Sequence, residues 1–306
     1  MAVWTVVNPK AGAGRAAKVA AALTPLLREA GIDPVVHVCA DGSEPARIAA
    51  QAAAAGASLV IAIGGDGLVA GVAEGLLADD VKGPLPALAV IATGSANDYA
   101  RALGVRNLDL AAQVALIGNE TARAEVDVVR VETAAGVRHI LNVGGTGFDA
   151  AVAERAAGIT RLRGAPRYVA AMVSELPSFR AVTFDITLDG ELRTTPAMMV
   201  ALANGSTYGG GMKVAPQAHL QSGCLDVCII GELSRFQFLR AFPRVFRGSH
   251  VSHPAVTMLK ASEVTVAADR PLSILGDGET IGELPATFRI RPAALTVVAA
   301  PDARLA

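Results

Sequence analysis

The stretch SLVIAIGGDGLVAG at residues 58–71 limits the fold more than any other part of the chain. Its apolar run Leu59, Val60, Ile61, Ala62 and Ile63 is too short for a helix and rich in β-branched residues, so it reads as a buried parallel strand. The run stops at Gly64, Gly65, Asp66 and Gly67, and an Ala/Val/Leu helix begins behind it. Strand, glycine turn and helix N-terminus together make an anion site. Glycine lets the backbone approach a phosphate, and the first free N–H groups of the helix point at it. Asp66 is the odd member. A carboxylate repels a bare phosphate, so Asp66 reads as a partner for a metal ion or a reacting hydroxyl. The plain alternative is a tight turn in which Asp66 caps the helix.

Two more loops of this kind flank it. A β-like run at 3–7 ends in Asn8, Pro9, Lys10, Ala11, Gly12, Ala13 and Gly14. Val19, Leu23, Leu26 and Leu27 then give helical spacing over 15–30, stopped by Gly31. GAGRAA within this loop matches the dinucleotide fingerprint G-x-G-x-x-A, a weak signal alone. The competing reading is a nucleotide loop whose backbone N–H groups and Lys10 hold phosphates. A Walker loop is excluded because no GK[ST] follows. A second strand and helix are expected over 35–39 and 44–55. A strand at 85–91 ends in Ala92, Thr93, Gly94, Ser95, Ala96, Asn97 and Asp98, before a helix at 99–103. Three strands thus end in NPKAG, GGDG and TGSAND, at the edge where open α/β sheets bind ligands.

After about residue 122 alternating β-type runs dominate, at 124–132, 137–142, 182–188, 197–203, 225–230, 263–267 and 287–291. Helical stretches interrupt them near 150–157 and 166–176. The expected architecture is a Rossmann-like α/β domain at 1–122 with a parallel sheet, to which 293–306 returns, and an antiparallel β-sandwich at 123–292. Residues 142–149 read as a polar loop joining a strand to a helix, and 204–211 as a glycine-rich loop, either substrate-approaching or merely superficial. At 276–279, Asp277 and Glu279 stand two apart. The pair fits an ordinary Asp-Gly hairpin and equally a proton-transfer site.

Composition narrows the function classes. A length of 306 residues fits two domains, and 52% hydrophobic residues can build their cores. With 27 basic and 28 acidic residues there is no nucleic-acid footprint. Three cysteines, Cys39, Cys224 and Cys228, suggest a reducing compartment without disulfides or a zinc knuckle. The start MAVWTVVNPK does not read as a signal peptide, and no apolar run reaches the roughly 18 residues of a membrane span. A cytoplasmic protein that visits a membrane surface is expected, with a homodimer left open.

Taken together, NPKAG at 8–12, GGDG at 64–67, GSANDYAR at 94–101, NVGGTGFDA at 142–150, NGSTYGGGMKVAP at 204–216 and DGE at 277–279 resemble the diacylglycerol kinase catalytic-domain family. That family includes bacterial lipid kinases, sphingosine kinases and ceramide kinases. The resemblance implies ATP-dependent, Mg²⁺-assisted phosphorylation of a lipid hydroxyl, with diacylglycerol the leading acceptor. Carried over residue by residue, ATP falls to Asn8, Pro9, Lys10, Ala11, Gly12, Gly64, Gly65, Asp66, Gly67, Leu68, Val69, Ala70 and Ser95, with Asn97 and Asp98 beside it. Asp277 and Glu279 face the acceptor, one as general base, and Asp66 organises metal and phosphate. The chain departs from the family at three places: Leu68 for Thr after GGDG, Ala40 for a Thr, and Ser222 for a carboxylate of a structural metal site. The last removes the anionic ligand a hard cation prefers.

Met172, Leu176, Phe179, Met198 and Met199 are candidates for an acyl slot, with ordinary core as the alternative. Phe236, Phe238, Leu239, Phe242 and Phe246 recur near helical spacing beside Arg235, Arg240, Arg244 and Arg247, as in an interfacial helix or a helix packed on a sheet. Other acceptors (sphingoid, ceramide, phosphatidylglycerol) stay open. So do an NAD kinase-like or dinucleotide-binding enzyme, with Asp33 near the ribose position, and a non-catalytic nucleotide or lipid sensor.

Overall fold

A computed structural model describes residues 2–159, 161, 162 and 165–305, with backbone only at 165 and 166. The chain forms two compact units, Met1–Asp127 with Pro292–Ala306, and Val128–Arg291.

The first unit alternates strand and helix: β1 (Val3–Val7), α1 (Arg15–Glu29), β2 (Pro34–Val38), α2 (Glu44–Ala54), β3 (Leu59–Gly64), α3 (Asp66–Leu76), β4 (Ala87–Ala92), α4 (Asp98–Ala102) and α5 (Leu110–Ile117). The chain leaves it through β5 (Arg123–Thr133). The second unit then runs β6 (Gly136–Ile140), β7 (Val143–Gly147), α6 (Phe148–Ala157), α7 (Ala165–Glu175), β8 (Val182–Leu188), β9 (Glu191–Ala203), β10 (Leu225–Gly231), α8 (Arg235–Ala241), β11 (Val256–Ala261), β12 (Glu263–Ala268), β13 (Ser273–Gly276) and β14 (Glu279–Glu283). The last strand, β15 (Ala286–Val298), carries the chain back.

In the first unit the strands are parallel in the order β2-β1-β3-β4, and Val297 of β15 pairs with Leu88 of β4. β3 explains the order. All six of its residues are buried, as a central strand covered on both faces requires. Leu59, Ile61 and Ile63 share a core with Leu23 and Leu27 of α1 and with Ala89 and Ile91 of β4. The strand order reverses between β1 and β3, the switch point at which such sheets open a ligand crevice. The returning segment is held by the buried Asp127, whose Oδ1 accepts the Ala293 N–H at 3.0 Å.

The second unit is antiparallel. β14, β13, β7, β9, β10 and β11 follow one another in one run, and β9, β8, β12 and β15 in another. β9 serves both because it is 13 residues long, extending well before its apolar part. Its first residues, ELRTT, are mostly polar and largely exposed, which hides them from a hydrophobicity reading.

Several elements depart from expectation. Residues 143–147 form the buried strand β7 rather than a loop. A Cβ on Gly144 would meet Ile140 Cδ1 at 2.5 Å, and one on Gly147 would meet the Met198 carbonyl at 2.5 Å. Close packing, not turning, is what requires glycine there. The helix α5 and the strand β11 lie where the sequence pattern announces no element, while β13 and β14 are the arms of the hairpin that Asp277 and Gly278 allow. Met172, Leu176, Phe179, Met198 and Met199 are all buried in the core of the second unit, so they are packing residues and not an open acyl slot.

Candidate functional site

In the first unit the loops after β1, β3 and β4 are pressed together at the carboxyl ends of their strands. Gly12 sits at φ +59°, and a Cβ on it would lie 2.2 Å from the Thr93 carbonyl oxygen. A Cβ on Gly94 would lie 2.7 Å from Gly65 Cα. Arg15 ties the first loop to the third, its guanidinium donating to Thr93 O at 2.6 Å and Gly94 O at 3.2 Å. Asn8 shapes the first loop from within, its Oδ1 accepting the Lys10 N–H at 3.1 Å. Lys10 and Ser95 are exposed there, and Pro9 and Ala11 are half-buried. Gly12→Ala is expected to cost several kcal/mol, since it adds both left-handed strain and a clash with backbone. Chemical denaturation of the variant checks this.

Asp66 opens α3 but does not cap it. The cap position is Gly65, with no side-chain hydrogen bond, so the first N–H groups of α3 stay available to an anion. The Asp66 carboxylate turns instead to the start of α4 and accepts the Tyr99 N–H at 3.3 Å. Burial pushes its pKa up and the neighbouring Asp98 carboxylate adds to this, against backbone N–H groups of Tyr99, Asn97 and Asp98. Arg101 stands 3.6 Å from Asp98 as its ion-pair partner, and a divalent cation at Asp66 would relieve the charge that remains. Among the described residues no group of three or more His, Cys, Asp or Glu could cage a metal. Leu68 is buried behind the loop, against Gly64. Val69 N donates to Gly65 O, and Ala70 follows on the helix. Asn97, in the left-handed region at φ 53°, donates from Nδ2 to Gly94 O.

Asp33 lies before β2, exposed and ion-paired with Arg28 at 2.9 Å. That is the amino end of the strand, the edge opposite the glycine loops, so it cannot hold a ribose as the dinucleotide reading expects.

In the second unit Asp277 and Gly278 form the two-residue turn of the β13–β14 hairpin, both with positive φ. The Asp277 carboxylate accepts backbone N–H groups from Leu141 at 2.7 Å, Asn142 at 2.9 Å and Val143 at 3.2 Å. It therefore anchors the segment that opens β7. Glu279, two residues on, is exposed. Asn142 and Asn204, both buried, extend the anchor. Asn204 Nδ2 donates to Leu141 O at 2.8 Å, and Asn142 Nδ2 donates to Thr207 O. The 204–211 loop is thus tied down at its root rather than superficial. Sequence reasoning names these asparagines only as members of glycine-rich stretches; the signal for their role is that each stands at the root of one, NVGG and NGS. Ser222 Oγ donates to the Cys224 carbonyl at 2.7 Å, while Lys260 pairs with Asp226 at 3.0 Å.

Asp149, at the start of α6, is partly exposed as a residue, yet its Oδ2 is closed off from solvent and has no hydrogen-bond partner among the described residues. Burial raises its pKa to about 7. The same charge, after burial, helps raise Cys228 to about 12 and Tyr208 upward. A raised carboxyl contributes a penalty that is absent below its unfolded pKa near 4 and complete above about 7. Asp149→Asn is therefore expected to gain a few kcal/mol over wild type as pH rises from about 4 to about 8. Melting curves of both proteins across that range measure it.

Two family descriptions match the chain. The family description "Diacylglycerol kinase catalytic domain" matches residues 2–131, and "YegS C-terminal NAD kinase beta sandwich-like domain" matches residues 142–299. A diacylglycerol kinase of Mycobacterium tuberculosis is 33% identical over 301 residues, covering 97% of this chain and 94% of its own. A diacylglycerol kinase of Bacillus subtilis is 28% identical over 92% of this chain and 91% of its own. A crystal structure of a diacylglycerol kinase from Bacillus anthracis shares the fold, with a TM-score of 0.74 at 21% identity over 99% of this chain and 98% of its own.

Proposed function

The chain belongs to the diacylglycerol kinase family of lipid kinases, and on that premise we propose that it moves the γ-phosphate of ATP to the free hydroxyl of diacylglycerol, giving phosphatidic acid. The observation that carries the proposal is the orientation of Asp66. It leaves the N-terminus of α3 uncapped for phosphate and joins Asp98 in a carboxylate pair suited to Mg²⁺.

In this reading the first unit is the nucleotide domain. Backbone N–H groups at the start of α3, residues 65–68, face the phosphates; those of Asn8, Lys10 and Ala11 are spent on Ile63 O, Asn8 Oδ1 and Asn8 O, so with Gly12 they shape the first loop around the nucleotide. Pro9, which has no N–H, shapes the first loop, and Lys10 and Ser95 stand at the exposed rim. Phosphoryl transfer needs positioning and charge neutralisation more than covalent chemistry, and packed glycine loops supply rigid donors. Asp66, with Asp98 beside it, would hold Mg²⁺, which supplies neutralisation of the phosphate oxygens when bound. The second unit is the lipid-substrate domain. Glu279 is the general base for the acceptor hydroxyl, worth about 10²–10⁴-fold. Asp277, its acceptor oxygens committed to three backbone N–H groups, positions the hairpin that carries Glu279. The reaction is cytoplasmic and peripheral to a membrane; no helix among the described residues is long and apolar enough to cross one.

A panel of acceptors tests the reading. γ-Labelled ATP is offered with vesicles carrying diacylglycerol, sphingosine, ceramide or phosphatidylglycerol. Label is expected in phosphatidic acid. Label in another lipid reassigns the acceptor, and label in none refutes the kinase reading.

A further inference from the structure

We propose that α8 and the turn after it form a docking surface for an anionic membrane. Half of the eight phenylalanines of the chain, Phe236, Phe238, Phe242 and Phe246, fall within this short segment. They divide into two sets. Phe238 is buried and packs edge-on against Phe148 at 4.9 Å, and Phe242 stacks on Phe238 at 5.9 Å. That inner set fixes the helix to the second unit. A capping box fixes its start: Ser234 Oγ accepts the Gln237 N–H, and the Gln237 side chain accepts the Ser234 N–H.

The outer set faces water. Phe236 is 73% exposed, and Leu239 and Phe246 are each 49% exposed. Presenting a large aromatic ring to solvent from a rigid, capped helix is costly unless something covers it. The start of α8 is tied to the turn past α7, where Arg235 donates to the Pro177 carbonyl.

Charge selects the partner. From 233 to 248 there are four arginines, Arg235, Arg240, Arg244 and Arg247, and no acidic residue, in a chain of net charge −1. Arg244 is occupied by Ser249 O and Ser252 Oγ. Arg240 and Arg247 are exposed and have no hydrogen-bond or ion-pair partner among the described residues. Exposed Phe and Leu flanked by unpaired arginine match the interface of an anionic bilayer: rings enter the acyl boundary and guanidinium groups meet phosphate. The inference rests on the lipid-kinase reading only for why a membrane is the partner, and binding measured without nucleotide keeps the two separable.

The test is co-sedimentation of the whole protein with phosphatidylglycerol-containing vesicles and with pure phosphatidylcholine vesicles, without ATP. Wild type is expected to bind the anionic vesicles, and to be released as salt rises from about 0.1 M to about 0.5 M. Phe236→Ser with Leu239→Ser, and separately Arg240→Glu with Arg247→Glu, are each expected to weaken partitioning about tenfold or more. Melting temperatures close to wild type show that both variants fold, as their exposed positions predict. Three results overturn the proposal. One is no binding to either vesicle. Another is binding that either variant retains in full. The third is a dimer in solution that Phe236→Ser with Leu239→Ser converts to monomer, which makes the face a contact between copies.

Discussion

Asp66→Asn lowers the rate of phosphoryl transfer by about 10²–10³-fold while leaving the melting temperature unchanged or slightly higher. The isosteric amide keeps an oxygen for the Tyr99 N–H, so the junction of α3 and α4 survives. It removes the negative charge, which burial and Asp98 already disfavour in the folded state, so stability has little reason to fall. What is lost is the anion that would attract Mg²⁺. The raised pKa gives this a pH signature. The carboxylate is charged only above a pKa higher than that of an ordinary Asp, so the acid limb of kcat/KM in wild type lies at higher pH than 3.8. Raising Mg²⁺ moves that limb to lower pH, because the cation favours the charged form. In Asp66→Asn the shift with Mg²⁺ disappears. A variant with full activity, or an acid limb indifferent to Mg²⁺, contradicts the assignment.

The second large effect separates two carboxylates that stand two residues apart. Asp277→Asn is expected to destabilise the second unit by about 3–5 kcal/mol. Three N–H donors converge on its two oxygens. An amide replaces one acceptor by a donor, leaving at least one buried N–H unpaired and facing an N–H₂ group. For a protein of this size the loss lowers the melting temperature by about 5–8 °C. Glu279→Gln has no such cost, since the side chain is exposed, and its stability should stay within about 0.5 kcal/mol of wild type. It is the activity that drops, by about 10²–10⁴-fold, if Glu279 takes the proton of the acceptor. Equal activity losses with neither variant destabilised would reverse the division of labour.

Much of the first unit is legible in sequence because its strands are buried on both faces. Leu59 to Ile63 is a continuous apolar run ended by glycines, and such runs announce both the strand and the phosphate turn behind it. Val3 to Val7 behaves likewise. The second unit is harder to read. Its strands alternate or are built of residues that usually break strands: β7 is Val-Gly-Gly-Thr-Gly, with small residues required by the closeness of Ile140 and Met198. A propensity reading sees a loop there because it has no knowledge of the neighbours. The same blindness hides the role of Asp277. Asp-Gly spells a hairpin turn, and a carboxylate two before Glu279 spells proton transfer. Only the placement of Leu141, Asn142 and Val143, far earlier in the chain, shows that its oxygens are spent on backbone. Asp66 is the reverse case. Sequence leaves capping and catalysis both open, and the turn of its side chain toward Tyr99 removes capping.

The central claim is that this chain hands the end of ATP to a lipid. The most direct measurement follows γ-labelled ATP with diacylglycerol in mixed micelles, wild type beside Glu279→Gln, with products separated by polarity. The account predicts labelled phosphatidic acid from wild type and about 10²–10⁴-fold less from the variant. Label found only in inorganic phosphate, or in phosphatidic acid at the same rate from both proteins, contradicts it.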